Sequence, residues 1–308
     1  MRTALDRFND MRRHLWKNRV LFFMALSIIV WFLIFRYIPY YWNLIAFKDY
    51  QYGLGFLKSP WVGLDNFRAL FKDPFFFRVV RNTVVIGGLK LLFGFPIPII
   101  LAIFLNETFS KDFKKTIQTI VFIPFFISWV IYASIMFSIL SPTVGMLNIL
   151  ISKMGVAPIY FLADKQWFRP MLIISDVLKN SGYYTVIYVA ALSGVDVELY
   201  EASICDGANL FQRIRHITLP GIASVITVLF IIQLGQILNV SFEQVYILYN
   251  PSVYEVGDVI ETFNFRQGIL AGRFSFTTAL GLVKSVIGFA LVLMSNRILK
   301  RLTDHGLW

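Results

Sequence analysis

The groups in this chain that could carry out a reaction are few and scattered. His14, His216 and His305 are the only histidines and Cys205 the only cysteine, so neither a Cys-based metal cluster nor an intrachain disulfide can be assembled. No Gly-Lys dipeptide occurs, which removes the loop that cradles nucleotide phosphates, and no His-Glu-x-x-His metal motif is present. Acidic residues are too sparse for a convincing catalytic carboxylate pair, and no segment is left over for a soluble catalytic domain. The chemistry that remains is recognition. Polar side chains sit inside apolar runs: Asp176, Lys179, Asn180, Tyr183 and Tyr184 in one, and Gln233, Gln236, Asn239, Glu243, Gln244 and Tyr246 in another. Lys90 and Lys284 occupy two more. Ionisable and amide groups are costly in such surroundings, which makes each a candidate for function.

Their spacing narrows the chemistry. On a continuous helix, Gln236, Asn239 and Glu243 fall at i, i+3 and i+7, a polar stripe down one face. Amides, a carboxylate and aromatics together offer the donors, acceptors and flat apolar surfaces that sugar hydroxyls and ring faces require. A hydrogen-bonded contact with a partner subunit is the competing reading of the same stripe. Asp176 and Lys179 are three residues apart and can pair on one helix face, with solute contact as the alternative. Lys284 lies too deep in its run to snorkel to the interface. It is expected to face an acidic solute, a carboxylate such as Glu243, or another subunit.

The elements that hold these residues are membrane helices. The 308 residues are 57% hydrophobic and 15% charged, with mean hydropathy +0.66, a balance that a water-soluble fold could not cover with polar surface. The runs 117–140 and 217–242 contain no charged residue, and roughly 20 apolar residues suffice to cross the hydrocarbon layer. The expected fold is therefore an all-α integral membrane protein with six transmembrane helices, at 20–42, 83–105, 117–140, 171–192, 217–246 and 276–298. The first run is too long for a cleavable signal peptide and lacks a small-residue cleavage site. Net charge +11 and a pI near 9.7 reflect basic residues flanking the spans, not a nucleic-acid-binding domain. Arg2, Arg7, Arg12, Arg13, Lys17 and Arg19 make 1–19 a basic N-terminus, placed in the cytoplasm by the positive-inside tendency. Six crossings return Arg297, Lys300, Arg301 and the tail 299–308 to the same side. Between the first two spans, 66–81 mixes aromatic and basic residues around Pro74, a pattern that suits a helix lying in the interface, although a packing element between spans one and two is the preferred reading. Pro96, Pro98 and Pro124 fall inside spans, where broken helices can line a path.

One polar insert stands out between spans four and five, at 196–220. Asp196 is a suitable N-cap, with Glu198 and Glu201 in the first turns, where the helix dipole favours acids. Asp206-Gly207 supplies a turn. Leu210, Phe211, Ile214 and Ile217 then recur at helical spacing opposite Gln212, Arg213, Arg215 and His216, and Pro220 marks where this helix yields to the next span. A short amphipathic pair, too short to be stable alone, reads as a docking element.

The spacing from Glu201-Ala202-Ser203 through Gly207 to Ile217-Thr218-Leu219-Pro220 resembles the coupling loop of binding-protein-dependent ABC importer permeases. Ser203 stands where a second alanine is usual. Arg36-Tyr37-Ile38-Pro39, Ala46-Phe47-Lys48-Asp49-Tyr50, the run 61–67, Phe242-Glu243-Gln244-Val245, Tyr249-Asn250-Pro251, Asp258-Val259-Ile260 and Gly306-Leu307-Trp308 look like the maltose-type branch handling complex oligosaccharides and polysaccharide fragments. The resemblance implies that the chain is no enzyme, and binds no cofactor itself. It implies partners: a second related permease in a heterodimer, two ATPase subunits that hold ATP and Mg, and an extracytoplasmic solute-binding protein, in a bacterial cell membrane. By it, Glu201, Ala202 and Ser203 enter the ATPase cleft, and Asp206 and Gly207 form the turn. Ile217, Leu219 and Pro220 pass displacement into span five, driving alternating access. Lys179, Asn180, Tyr183, Gln236, Asn239, Glu243, Gln244, Tyr246 and Lys284 are the expected solute path. A non-sugar solute or an ion-coupled secondary carrier are the alternatives; a carrier would need more spans and repeat symmetry, and would leave 196–220 unexplained.

Overall fold

A computed structural model describes residues 16–108 and 110–303. The basic residues Arg2, Arg7, Arg12 and Arg13, the histidines His14 and His305, and the terminal Gly306-Leu307-Trp308 lie outside the described residues. Among the described residues the chain is helical, apart from an isolated antiparallel bridge between Lys48 and Trp61. The chain divides into two compact units, one ending at Leu70 and including Arg273–Leu282, the other formed by Phe71–Gly272 with the chain from Val283 onward.

In the first unit a helix of 29 residues, Arg19–Phe47, is long and apolar enough to cross a membrane. It opens as an α-helix and tightens to 3-10 geometry from Ile38, with Pro39 in its first turn. The loop that follows is pinned by buried polar groups. Lys48 is buried and donates from Nζ to Phe56 O at 2.7 Å, lying over the Phe56 and Trp61 rings. Asn66 Nδ2 donates to the carbonyls of Ala46 and Lys48, both at 2.9 Å.

The second unit is arranged around the helix Lys165–Leu192, whose Phe168, Leu172 and Tyr188 are fully buried. Phe76–Asn106 and Phe274–Ile298 are, with Arg19–Phe47, the three helices whose length and apolarity suffice for a span. Two further pairs reach that standard only if each is taken together: Lys111–Phe126 with Trp129–Leu140, bent by 106°, and Leu210–Gly221 with Ala223–Gly235, bent by 65°. Helices in lipid gain little from apolar burial and associate by close packing at small residues. Gly182 is such a point: a Cβ there would collide with the Val121 carbonyl and the Phe122 Cα.

Several expected spans are therefore not single straight helices. The run 117–140 breaks at Ile127, three residues after Pro124 in the last turn of the first helix, and Ser128 caps the second, its Oγ accepting from Ile131 N at 3.4 Å. The run 217–246 breaks after Gly235 and resumes at Phe242–Leu248. Pro74 does interrupt 66–81, but the portion after it belongs to the helix Phe76–Gly94 and forms no separate interfacial element.

Candidate functional site

The central helix delivers its polar residues to two places. Asp176, Asn180 and Tyr184, spaced by four, share one face and line a cavity of about 260 Å³. Lys90 enters it from Phe76–Gly94, and Gln233, Gln236 and Asn239 border it from the broken fifth run. Lys179 lies on another face and points into the break at Pro124. The C-terminal carbonyls of a helix have no intrahelical partner, and here the Lys179 ammonium supplies one. Its Nζ donates to Pro124 O, Phe125 O and Ile127 O at 3.1, 2.9 and 2.5 Å, with the Trp129 ring centroid 5.5 Å away.

Asp176 and Lys179 thus do not pair. Asp176 accepts instead from Lys90 Nζ at 2.9 Å, across 86 residues of sequence. The same ammonium donates to Gln244 Oε1, while Gln244 Nε2 donates to Leu172 O at 2.7 Å and Ser175 Oγ at 2.8 Å. Gln244 is completely buried behind the cavity and acts as the fixed back of this network. The cavity's lining lysine is therefore already balanced by its lining carboxylate, and its remaining polar capacity is amide and hydroxyl. Gln233 Nε2 is buried with no hydrogen-bond partner among the described residues, an arrangement that costs about 1–3 kcal/mol unless something fills it. Asn239 donates to Gln236 Oε1, and both residues line the cavity.

Of the expected solute-path residues, Asn180, Gln236 and Asn239 line this cavity. The stripe through Glu243 does not exist as one face, because Gln236 caps one helix and Glu243 opens the next. Glu243 is exposed. Tyr183 stacks on Phe125 with centroids 4.6 Å apart, and Tyr246 stacks on Phe242 at 5.0 Å. Lys284 pairs with Glu261, not with Glu243. Ser181 and Ser241 also line the cavity; serine is too common in membrane helices for sequence to single them out.

The insert at 196–220 forms a second, exposed site. Asp196 caps Val197–Cys205, its Oδ1 accepting from Glu198 N at 2.9 Å. Gly207 adopts φ +77°, the left-handed conformation in which glycine closes helices. Ala208 N then returns to Ser203 O at 2.9 Å. The next helix starts with a reciprocal cap: Asn209 Oδ1 accepts from Gln212 N at 3.0 Å and Gln212 Oε1 from Asn209 N at 2.8 Å. The Asn-x-x-Gln spacing that signals this cap was available in the sequence, where Gln212 counts only as a polar-face residue.

Tyr200 Oη donates to Thr218 Oγ1 at 3.1 Å, tying the two helices, and Arg213 reaches Glu107 at 3.6 Å. Ile217 and Leu219 are half-buried, as is Ser203, whose Oγ donates to Tyr200 O at 2.7 Å. Glu201, Ala202, Asp206 and Pro220 are exposed, and so are Val197, Leu199, Ile204, Leu210 and Phe211. The pair is tied at Tyr200–Thr218 and Arg213–Glu107 and carries exposed apolar side chains along its first helix and at the start of its second.

A multi-pass helical membrane protein with an open, amide-rich cavity and a separate exposed helix pair has the build of a transport subunit. The chain belongs to the family of binding-protein-dependent transport system inner membrane components, whose model matches residues 94–304. Protein LplB of Bacillus subtilis (strain 168) is 44% identical over 292 residues, covering 95% of this chain and 92% of the relative. The polygalacturonan/rhamnogalacturonan transport system permease protein YteP of the same organism is 42% identical over 292 residues, covering 95% and 91%. Among solved structures, a bacterial ABC transporter involved in the import of the acidic polysaccharide alginate matches with TM-score 0.89 and 40% identity, over 96% of this chain and 99% of that chain. A bacterial alginate ABC transporter in complex with alginate pentasaccharide-bound periplasmic protein matches with the same values.

Proposed function

We propose that this chain is one of two permease subunits of an ATP-driven importer that moves oligosaccharides released to it by a solute-binding protein. The cargo class extends to uronate-bearing polysaccharide fragments, as the names of the relatives suggest. In this reading the three long apolar helices, the two bent pairs and the central helix Lys165–Leu192 each count as one span, six in all, within a membrane body at 20–298. The basic segment 1–19 and the tail 299–308 face the cytoplasm, and so does the loop 196–220. ATP and Mg reside on two partner ATPase subunits, and this chain binds neither.

The observation that carries the reading is the exposed apolar side chains of the helix pair, Val197, Leu199 and Ile204 on its first helix and Leu210 and Phe211 at the start of its second, on either side of the Gly207 turn. Such a surface in water needs a partner, and an ATPase cleft is the partner this family position suits. Closure of the ATPases draws this helix pair and, through Tyr200–Thr218 and the 217–220 segment, tilts the helix Ala223–Gly235 that borders the cavity. Transport then follows from differential contacts in two states. Solute hydroxyls are met by Asn180, Gln233, Gln236 and Asn239. The test is ATPase activity of the complex in liposomes with oligosaccharide-loaded binding protein. Stimulation that is lost with Glu201→Lys while the subunits still co-purify supports the reading; full stimulation in that variant contradicts it.

A further inference from the structure

We infer that the first unit carries a second sugar-ring subsite, separate from the amide-rich cavity. Trp42, Tyr50, Tyr52 and Phe274 wall a concavity of about 280 Å³, with Asn43 and Thr278 at its edge. Drug-sized ligands occupy roughly 300–1,000 Å³, so this space accommodates about one sugar ring.

The walls are held in place before any ligand arrives. Tyr50 N donates to Ser275 Oγ at 2.9 Å, and the Tyr50 ring meets Phe274 edge-on at 6.0 Å. Trp42 packs edge-on against Phe56 at 5.2 Å, and Phe56 is fixed by the buried Lys48. Gln51 N donates to Ser59 Oγ at 3.1 Å, which sets the turn preceding Tyr52.

What the site lacks is partners for its polar groups. The half-buried Asn43 amide and the phenol oxygens of Tyr50 and Tyr52 make no hydrogen bond among the described residues, and Tyr52 is 87% exposed. Aromatic faces beside idle amide and hydroxyl groups match a pyranose, whose C–H faces are apolar and whose rim is hydroxyl. A lipid chain would leave the amide and phenols unsatisfied. The ligand class rests on the oligosaccharide reading above; the site and its residues do not.

The experiment uses the assembled importer in liposomes and measures uptake of a length series, from disaccharide to pentasaccharide, with Tyr52→Ala and Asn43→Ala. Neither residue supports the fold, and Tyr52→Phe isolates the hydroxyl. The expected result is an approximately tenfold loss of pentasaccharide uptake, about the loss of one hydrogen-bonded ring contact at 1.4 kcal/mol per factor of ten, with disaccharide uptake and basal ATPase unchanged. Equal loss at every length would overturn the subsite and make this face a dock for the binding protein. Unchanged uptake at every length would also overturn it while leaving the oligosaccharide reading intact. If the parent complex takes up no oligosaccharide of any length, both readings fall together.

Discussion

Lys179→Met should be the most damaging conservative-volume change in the central helix. The residue is 5% exposed, and its ammonium serves three backbone carbonyls at the Pro124 break. Hydrogen bonds to charged groups contribute about 1.5–3 kcal/mol each. Taking the lower figure, because removing the ammonium also removes its own desolvation cost, three bonds give about 4–5 kcal/mol. For a protein of this size that corresponds to a fall in thermal midpoint on the order of 10 °C. The assay is loss of the monodisperse detergent-solubilised complex on heating, followed by size exclusion. Lys165→Gln is the matched control, since it removes a lysine at the start of the same helix whose pair with Glu255 is solvent-exposed on both sides. Exposed pairs exchange charge attraction for side-chain freedom and contribute little. A Lys179→Met midpoint no lower than that of Lys165→Gln would refute the argument that this ammonium caps the broken helix.

Four other outcomes are expected. Gly182→Ala should prevent recovery of folded protein, because its Cβ would meet the Val121 backbone and not a side chain that can turn away; normal yield and midpoint would show that the two helices have slack. Gly207→Ala meets nothing within 4 Å, so only the left-handed backbone at φ +77° resists it; about 1 kcal/mol of local strain should weaken solute-stimulated ATPase, whereas Gly207→Pro should abolish it with the complex still assembled. Asp176→Asn leaves the Lys90 ammonium without its carboxylate and should lower the midpoint more than the double change with Lys90→Gln, since an unpaired buried charge costs more than a missing pair. The hydrogen bond and charge of Lys165 lower the Glu255 carboxyl below its ordinary 4.5. Whatever stability that pair lends is present above 4.5 and fades as the pH falls through the lowered value, and Lys165→Gln should remove this acid-side dependence.

Local signals were legible in the sequence, and cross-chain pairing was not. The Asp196 cap, the left-handed Gly207 and the yielding at Pro220 all depend on residues within a few positions of each other, and each is found where spacing places it. The partners of Asp176 and Lys284 lie 86 and 23 residues away; spacing along one helix offered Asp176 only its near neighbour Lys179, while a carboxylate partner for Lys284 was legible in kind but proves to be Glu261 and not Glu243. The stripe at Gln236, Asn239 and Glu243 failed for a different reason: hydropathy runs on unbroken through 236–241, while the backbone turns after Gly235. Proline gave the break at 124 but not what fills it, because a lysine in an apolar run gives no hint that its partners are carbonyls.

The central claim is that the 196–220 helix pair meets an ATPase on the cytoplasmic side, and the chain carries its own probe for this. Cys205 is the sole cysteine and is exposed at the end of the first helix of the pair. A bulky membrane-impermeant maleimide should label it in inside-out vesicles of the permease pair and not in right-side-out ones, and adding the ATPase subunits should protect it. Labelling from the outer face, or undiminished labelling with the ATPase bound, would contradict the account.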